Sequence, residues 1–277
     1  MEERLREYAR LLIGVGLNVQ KGQTLVLSSP VECAPFARLC ASAAYDAGCG
    51  EVVMNWTDDH MTREKFLRAQ DAAFTAPRAW RKAFFTEYAE EGAAYLRIDA
   101  EDPETLAGVK PERLVAAQRV SSGERETFDR LQMANGFPWC VAGAPIAAWA
   151  KKVFPGRTEN EAMDSLWDAI LATVRVTGDG KAEARWREHI SLLASRKEKL
   201  NELHFKSLHY TNSLGTDLTV ELPEDHLWAA GNSVTPKGQP FVANMPTEEI
   251  FTAPRRNGVN GTVCAALPLV YNGSIIE

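Results

Sequence analysis

Two glutamates stand side by side at 248 and 249, inside the Pro-bracketed stretch NMPTEEIFTAP that runs from Asn244 to Pro254. Their neighbours Ile250, Phe251 and Thr252 favour strand, and Pro254 would stop a helix before two turns formed. In a strand, adjacent side chains point to opposite faces, so one carboxylate can meet water while the other enters the interior. A carboxylate pointing inward has to be paired or hold a cation, because burying it bare is prohibitively costly. Residue type alone leaves two readings open. The commoner is a solvated acidic pair; the other is one ligand of a metal site.

The remaining chemistry-bearing groups carry less. Gly14 and Gly16 form a G-x-G, but the segment before them is helical and the third position of a dinucleotide fingerprint is Val19. That pattern reads as a helix end followed by a turn. No Walker-type phosphate loop and no G-x-S-x-G elbow occurs. His204 and His209, five residues apart, would lie on opposite faces of a strand and miss the common i, i+4 face of a helix. They read as structural histidines, and His60 and His189 have no partner pattern. The five cysteines form no C-x-x-C, and their odd number leaves one over in any disulfide scheme. Reduced, mostly buried thiols in a cytoplasmic protein are the plain reading.

These groups must be held by a scaffold of two kinds. Up to residue 204, apolar runs alternate with amphipathic helices: QTLVLSS, EVVMNW, AAYLRIDA and PWCVAGAP are each followed by helical sequence. Strands apolar throughout and separated by helices predict an α/β domain, a doubly wound, mostly parallel sheet with helices on both faces. The stretch GDGKAEARWREHISLLASRKEKLNEL closes this half. Trp186, Ile190, Leu193 and Leu200 form its apolar stripe, with Arg185, Arg187, Lys197 and Lys199 expected in water.

From residue 205 the grammar changes. Glycine plus proline numbers 21 in the first 204 residues but 12 in the last 73. LTVEL, GTVCAAL and LVYNGSII are short and bounded by turn residues, and NSLGTD and YNGS read as hairpin turns. Residues 205–277 are therefore expected to be antiparallel and β-rich, part of a second domain after an N-terminal domain of 1–204. The net charge of −6 supplies no basic surplus for nucleic acid. No run approaches the roughly 18 apolar residues of a membrane span.

Longer stretches carry a resemblance. KSLHYTNSLGTDLTVELPEDHLWAAG, NMPTEEIFTAPRRNGVNGTV and PLVYNGSIIE are similar to the thermophilic-type metalloaminopeptidases, the group containing aminopeptidases T and S. LSSPVECAPFARLCASAAYDAGCGEVVMNW and GDGKAEARWREHISLL fit the amino-terminal domain of the same family, so the likeness spans the chain. It implies a cytoplasmic, homodimeric enzyme that releases amino-terminal residues from peptides with two divalent ions, zinc, cobalt or magnesium. It also implies that Glu249 is the first metal ligand and that Glu248 faces the other way.

The family's further ligands, one Glu, two His and an Asp, and its catalytic Tyr belong downstream of YNGSIIE. The resemblance thus implies that the 277 residues carry one ligand of the set and no assigned catalytic residue. Such a chain is expected to hold the metals poorly, to lack peptidase activity alone, and to expose Val270, Ile275 and Ile276 on an unfinished sheet. Two competing readings are a non-catalytic binding or assembly module built on the α/β domain, and a nucleotide-binding protein. The second lacks a phosphate loop.

Overall fold

The computed structural model describes residues 1–267 and the strand backbones at 269–271 and 274–276. It divides into two compact units, Met1–Trp186 with Asn232–Pro246, and Arg187–Gly231 with Thr247–Glu277.

The first unit is built on four parallel strands: β1 (Thr24–Pro30), β2 (Glu51–Thr57), β3 (Ala94–Asp99) and β4 (Trp139–Gly143). Leu25, Val26 and Leu27 pair with Val52, Val53 and Met54 on one side and with Ala94, Tyr95 and Leu96 on the other. β1 and β3 are apolar and buried at consecutive positions because a parallel sheet covered by helices buries both faces, while β2 at the sheet edge has no fully buried residue. The flanking helices are α1 (Glu2–Leu11), α2 (Ala34–Asp46), α3 (Asp59–Arg68), α4 (Ala79–Glu91), α5 (Pro111–Met133), α6 (Ala147–Val153) and α7 (Glu159–Thr173). The predicted α/β sheet is present, at the predicted strands.

Side-chain packing explains the local choices. Tyr95, Phe128 and Phe137 form an aromatic triangle with centroids 4.7 to 5.0 Å apart, and Phe137 has no exposed surface. α7 opens with a capping box in which Thr158 and Glu161 satisfy each other's backbone N–H groups. α1 widens into a π-helical turn at Leu12–Gly16. A side chain on Gly16 would come within 3.2 Å of Cys140 Sγ and 3.5 Å of Met245 Sδ, so this glycine serves close packing.

The eighth helix, α8 (Ala182–Leu203), belongs to both units. Its start is held in the first unit by Glu7, a buried carboxylate that accepts from Gly178 N at 2.6 Å and Ala182 N at 2.9 Å. Trp186 and Leu193 of the predicted stripe are buried, while Ile190 and Leu200 are half-buried. Lys197 is half-buried, and Arg185 too departs from its expected place in water. It is half-buried and reaches the Arg175 carbonyl at 2.8 Å and both oxygens of Asp179.

The second unit is antiparallel: β5 (Ser207–Thr211) and β6 (Asp217–Glu221) form a hairpin, and β12 (Val259–Thr262) pairs with β6. The NSLGTD turn forms as read. Asn212 Oδ1 accepts from Leu214 N and Thr216 N, both at 3.0 Å, with Gly215 at φ +100. β7 (Ala229–Ala230) pairs with β11 (Ile250–Phe251), and β13 (Leu269–Tyr271) with β14 (Ser274–Ile276). The side chains of Val270, Ile275 and Ile276 and the turn residues of YNGS lie outside the described residues.

One stretch breaks the expected change of grammar at 205. Residues 232–246 return to the first unit as the hairpin β8 (Ser233–Val234) with β9 (Pro240–Phe241), then β10 (Asn244–Met245). β10 adds to β4 in parallel, making the sheet five-stranded in the order β10-β4-β3-β1-β2. Backbone groups direct this return: Val242 N donates to Gly16 O at 2.7 Å, and Val141 N to Ala243 O at 2.9 Å. An open strand edge has unpaired donors and acceptors, and two residues suffice to occupy it.

Candidate metal ligands around Thr247–Glu249

The acidic pair lies in irregular backbone immediately before β11. The expectation of a strand with the two carboxylates on opposite faces is not met: Glu248 and Glu249 are both exposed. Nor do the apolar neighbours enter a core, since Ile250 is half-buried and Phe251 is 52% exposed. The physical reason is the size of the ladder. Ile250 and Phe251 pair only with Ala230 and Ala229, whose side chains offer little surface to bury against.

What fixes the segment is Thr247. Its side chain is buried against Gly231, where an added Cβ would fall 2.3 Å from Thr247 Cγ2. Its carbonyl accepts from His189 Nε2 of α8 at 2.8 Å. Because a carbonyl oxygen can only accept, this contact requires the proton on Nε2. Glu248 Oε2 lies 3.4 Å from the same nitrogen. The side chain of Glu249 makes no hydrogen bond or ion pair among the described residues.

His204 and His209, read as structural, are held by protein contacts. His204 follows α8 at φ +45 and donates to Glu224 O at 2.8 Å. Its ring stacks on His226 with centroids 4.7 Å apart, and His226 Nδ1 donates to Pro223 O at 2.7 Å. His209 pairs with Asp217 at 2.7 Å on the exposed hairpin. His189 is the residue that sequence reasoning missed. Its partner is 58 positions away, and no local spacing announces such a contact.

The five cysteines are all free thiols; Cys33, Cys40, Cys49 and Cys140 are buried. Burial pushes Cys33 up to about 12, aided by the neighbouring Glu32 charge, and raises Cys40 and Cys140 further. These three stay protonated and are poor metal ligands. Among the described residues no three His, Cys, Asp or Glu side chains lie together as a metal-holding group. A divalent ion normally takes about three protein ligands. The exposed carboxylate of Glu249 is chemically able to act as one donor, and one donor falls short of that number. Among the described residues no helix is long and apolar enough to cross a membrane.

Residues 1–277 match the thermophilic metalloprotease family (M29). Aminopeptidase AmpS of Bacillus subtilis is 39% identical over 275 residues, covering 99% of this chain and 67% of its own length. Aminopeptidase T of Thermus aquaticus is 37% identical over 278 residues, covering 99% of this chain and 67% of its own length. The solved structure of wild-type AmpT from Thermus thermophilus superimposes with a TM-score of 0.92 at 33% identity, covering all of this chain and 68% of that one. The chain thus spans about two thirds of the length of its relatives.

Proposed function

Because the chain belongs to the thermophilic metalloprotease family (M29), we propose that it belongs to a metal-dependent aminopeptidase that removes amino-terminal residues from peptides. The observation that carries this reading is the likeness to AmpT over the whole chain, at a TM-score of 0.92. In this reading residues 1–204 are the amino-terminal domain and 205–277 the first part of the catalytic domain. The protein works in the cytoplasm as a homodimer. Its metals are two divalent ions, zinc, cobalt or magnesium.

Glu249 is the ligand these residues contribute, supported by its exposed carboxylate without an ion pair among the described residues. Bound divalent ions supply polarisation of a carbonyl and a water acidic enough to ionise near neutrality. The chain's own part is to present Glu249 from a backbone fixed at Thr247. One donor does not make a centre, since a divalent ion normally takes about three protein ligands.

The test uses the protein expressed to the natural end of its reading frame. Glu249→Gln should lose both metal and turnover, whereas Glu248→Gln should keep most of each. Equal tolerance at the two positions would remove the assignment. Stoichiometric metal and turnover in the 277 residues alone would refute the need for further donors, and light scattering of the same preparations measures the dimer.

A further inference from the structure

We infer that His189 is a positioning residue for Glu249: its Nε2–H holds the Thr247 carbonyl and so sets the backbone from which the ligand projects. The inference rests on the reading of Glu249 as a metal ligand and adds to it the group that aims it.

Three observations converge on Thr247. Its carbonyl is taken by His189 Nε2 at 2.8 Å, a full hydrogen bond. Its side chain is buried against Gly231, at a distance that leaves no room for a methyl group there. Beyond it, β11 begins only at Ile250, so Glu248 and Glu249 have no ladder of their own. The two residues before the strand are thus fixed from the Thr247 side by one polar contact and one steric one. His189 suits the polar contact because it stands within α8, a helix of 22 residues, and its side chain is only 9% exposed.

The same nitrogen also separates the two glutamates. Glu248 Oε2 lies 3.4 Å from Nε2, too long for a strong hydrogen bond but close enough to draw that carboxylate toward α8. The Glu249 side chain has no such neighbour among the described residues. A ligand held by an outer hydrogen bond loses affinity when that bond is removed, by roughly 10- to 100-fold in known metal sites.

The experiment uses the protein expressed to the natural end of its reading frame, titrated with cobalt(II) and followed by its visible absorption. His189→Phe keeps an aromatic ring in the half-buried site but cannot donate, while His189→Gln places an amide N–H near the Nε2 position. The expected result is a cobalt dissociation constant raised roughly 10- to 100-fold in His189→Phe and restored to within about threefold in His189→Gln. Circular dichroism of both variants reports the fold, and imidazole nitrogen NMR of the metal-free wild type reports the tautomer.

A merely structural role would lower melting temperature in His189→Phe without changing the cobalt spectrum or affinity, and that result overturns the inference. So does an Nδ1–H tautomer in the wild type. Cobalt bound at wild-type affinity by Glu249→Gln removes the ligand reading itself, and with it the inference. Loss in Glu249→Gln with full affinity in His189→Phe removes the inference alone.

Discussion

In β1 of the first unit Leu25, Val26 and Leu27 are at most 1% exposed, whereas all four residues of β12 in the second unit face solvent. β1 carries three consecutive aliphatic side chains where β12 reads Val-Asn-Gly-Thr, and what covers the two strands differs as well. β1 has a parallel neighbour on each side and helices over the sheet, while β12 pairs with β6 on one side only. The lesson is that the first unit is held by area removed from water, and the second by single contacts at chosen points. Thr247 against Gly231, His189 against the Thr247 carbonyl, and Asn212 across its turn are of that kind. A scaffold can be uniform and tight, while a ligand-bearing segment needs only a few fixed atoms.

The largest effects should therefore fall in the first unit. Phe137→Ala empties the middle of the aromatic triangle and should cost about 3–5 kcal/mol, read as a shift in urea midpoint. Phe251→Ala, the same deletion at a half-exposed ring, should stay within about 1 kcal/mol because little burial is lost. Equal losses at the two sites would contradict the comparison.

Next come the point contacts. Gly231→Ala drives a methyl group into Thr247 and should cost about 1–3 kcal/mol, with amide exchange accelerating along β7 and β11 before anywhere else. In the first unit Glu7→Gln replaces one accepting oxygen with an N–H₂ facing Gly178 N or Ala182 N. A buried donor then lacks a partner, at a cost of about 1–3 kcal/mol by thermal unfolding. If Gly231→Ala were silent while Glu7→Gln was not, the second unit would be too loose to register a steric contact.

How much of this was readable from residues alone follows the same divide. β1, β3 and β4 were legible because each is written as a short run of mostly apolar residues. The β5–β6 hairpin was legible because Asn212 and Gly215 carry the turn's geometry in their own chemistry. β10 was not: two residues, Asn244 and Met245, have no period, and backbone atoms of Gly16 and Val141 direct their return. Arg185 turned inward because the turn just before α8 offers it the carbonyl of Arg175 and the carboxylate of Asp179. At the candidate site, Glu249 entered through resemblance and not through pattern. The contact of His189 with Thr247 left no mark in either segment.

The smallest expected effect concerns charge, and it separates a surface contact from both kinds of burial. Asp179 is held well below the usual carboxylate range, first by its hydrogen bonds from Arg185 and then by the Lys181 N–H at 3.0 Å. A value depressed in the folded state means that the unfolded chain binds this proton more readily. The contribution to stability is therefore fully present above the ordinary aspartate value of about 3.9, and it is lost as pH falls through the folded value. Solvent and salt screen an exposed pair of this kind, so its whole contribution should be small. Asp179→Asn should lower the melting temperature slightly at pH 7. The gap to wild type should then narrow in acid and close once Asp179 is protonated in both states. High salt should shrink the gap at pH 7, whereas the losses in Phe137→Ala and Gly231→Ala should survive it. A gap that stayed constant from neutral pH into acid would mean that Asp179 acts by shape, as the acceptor ordering the turn before α8, and not by charge.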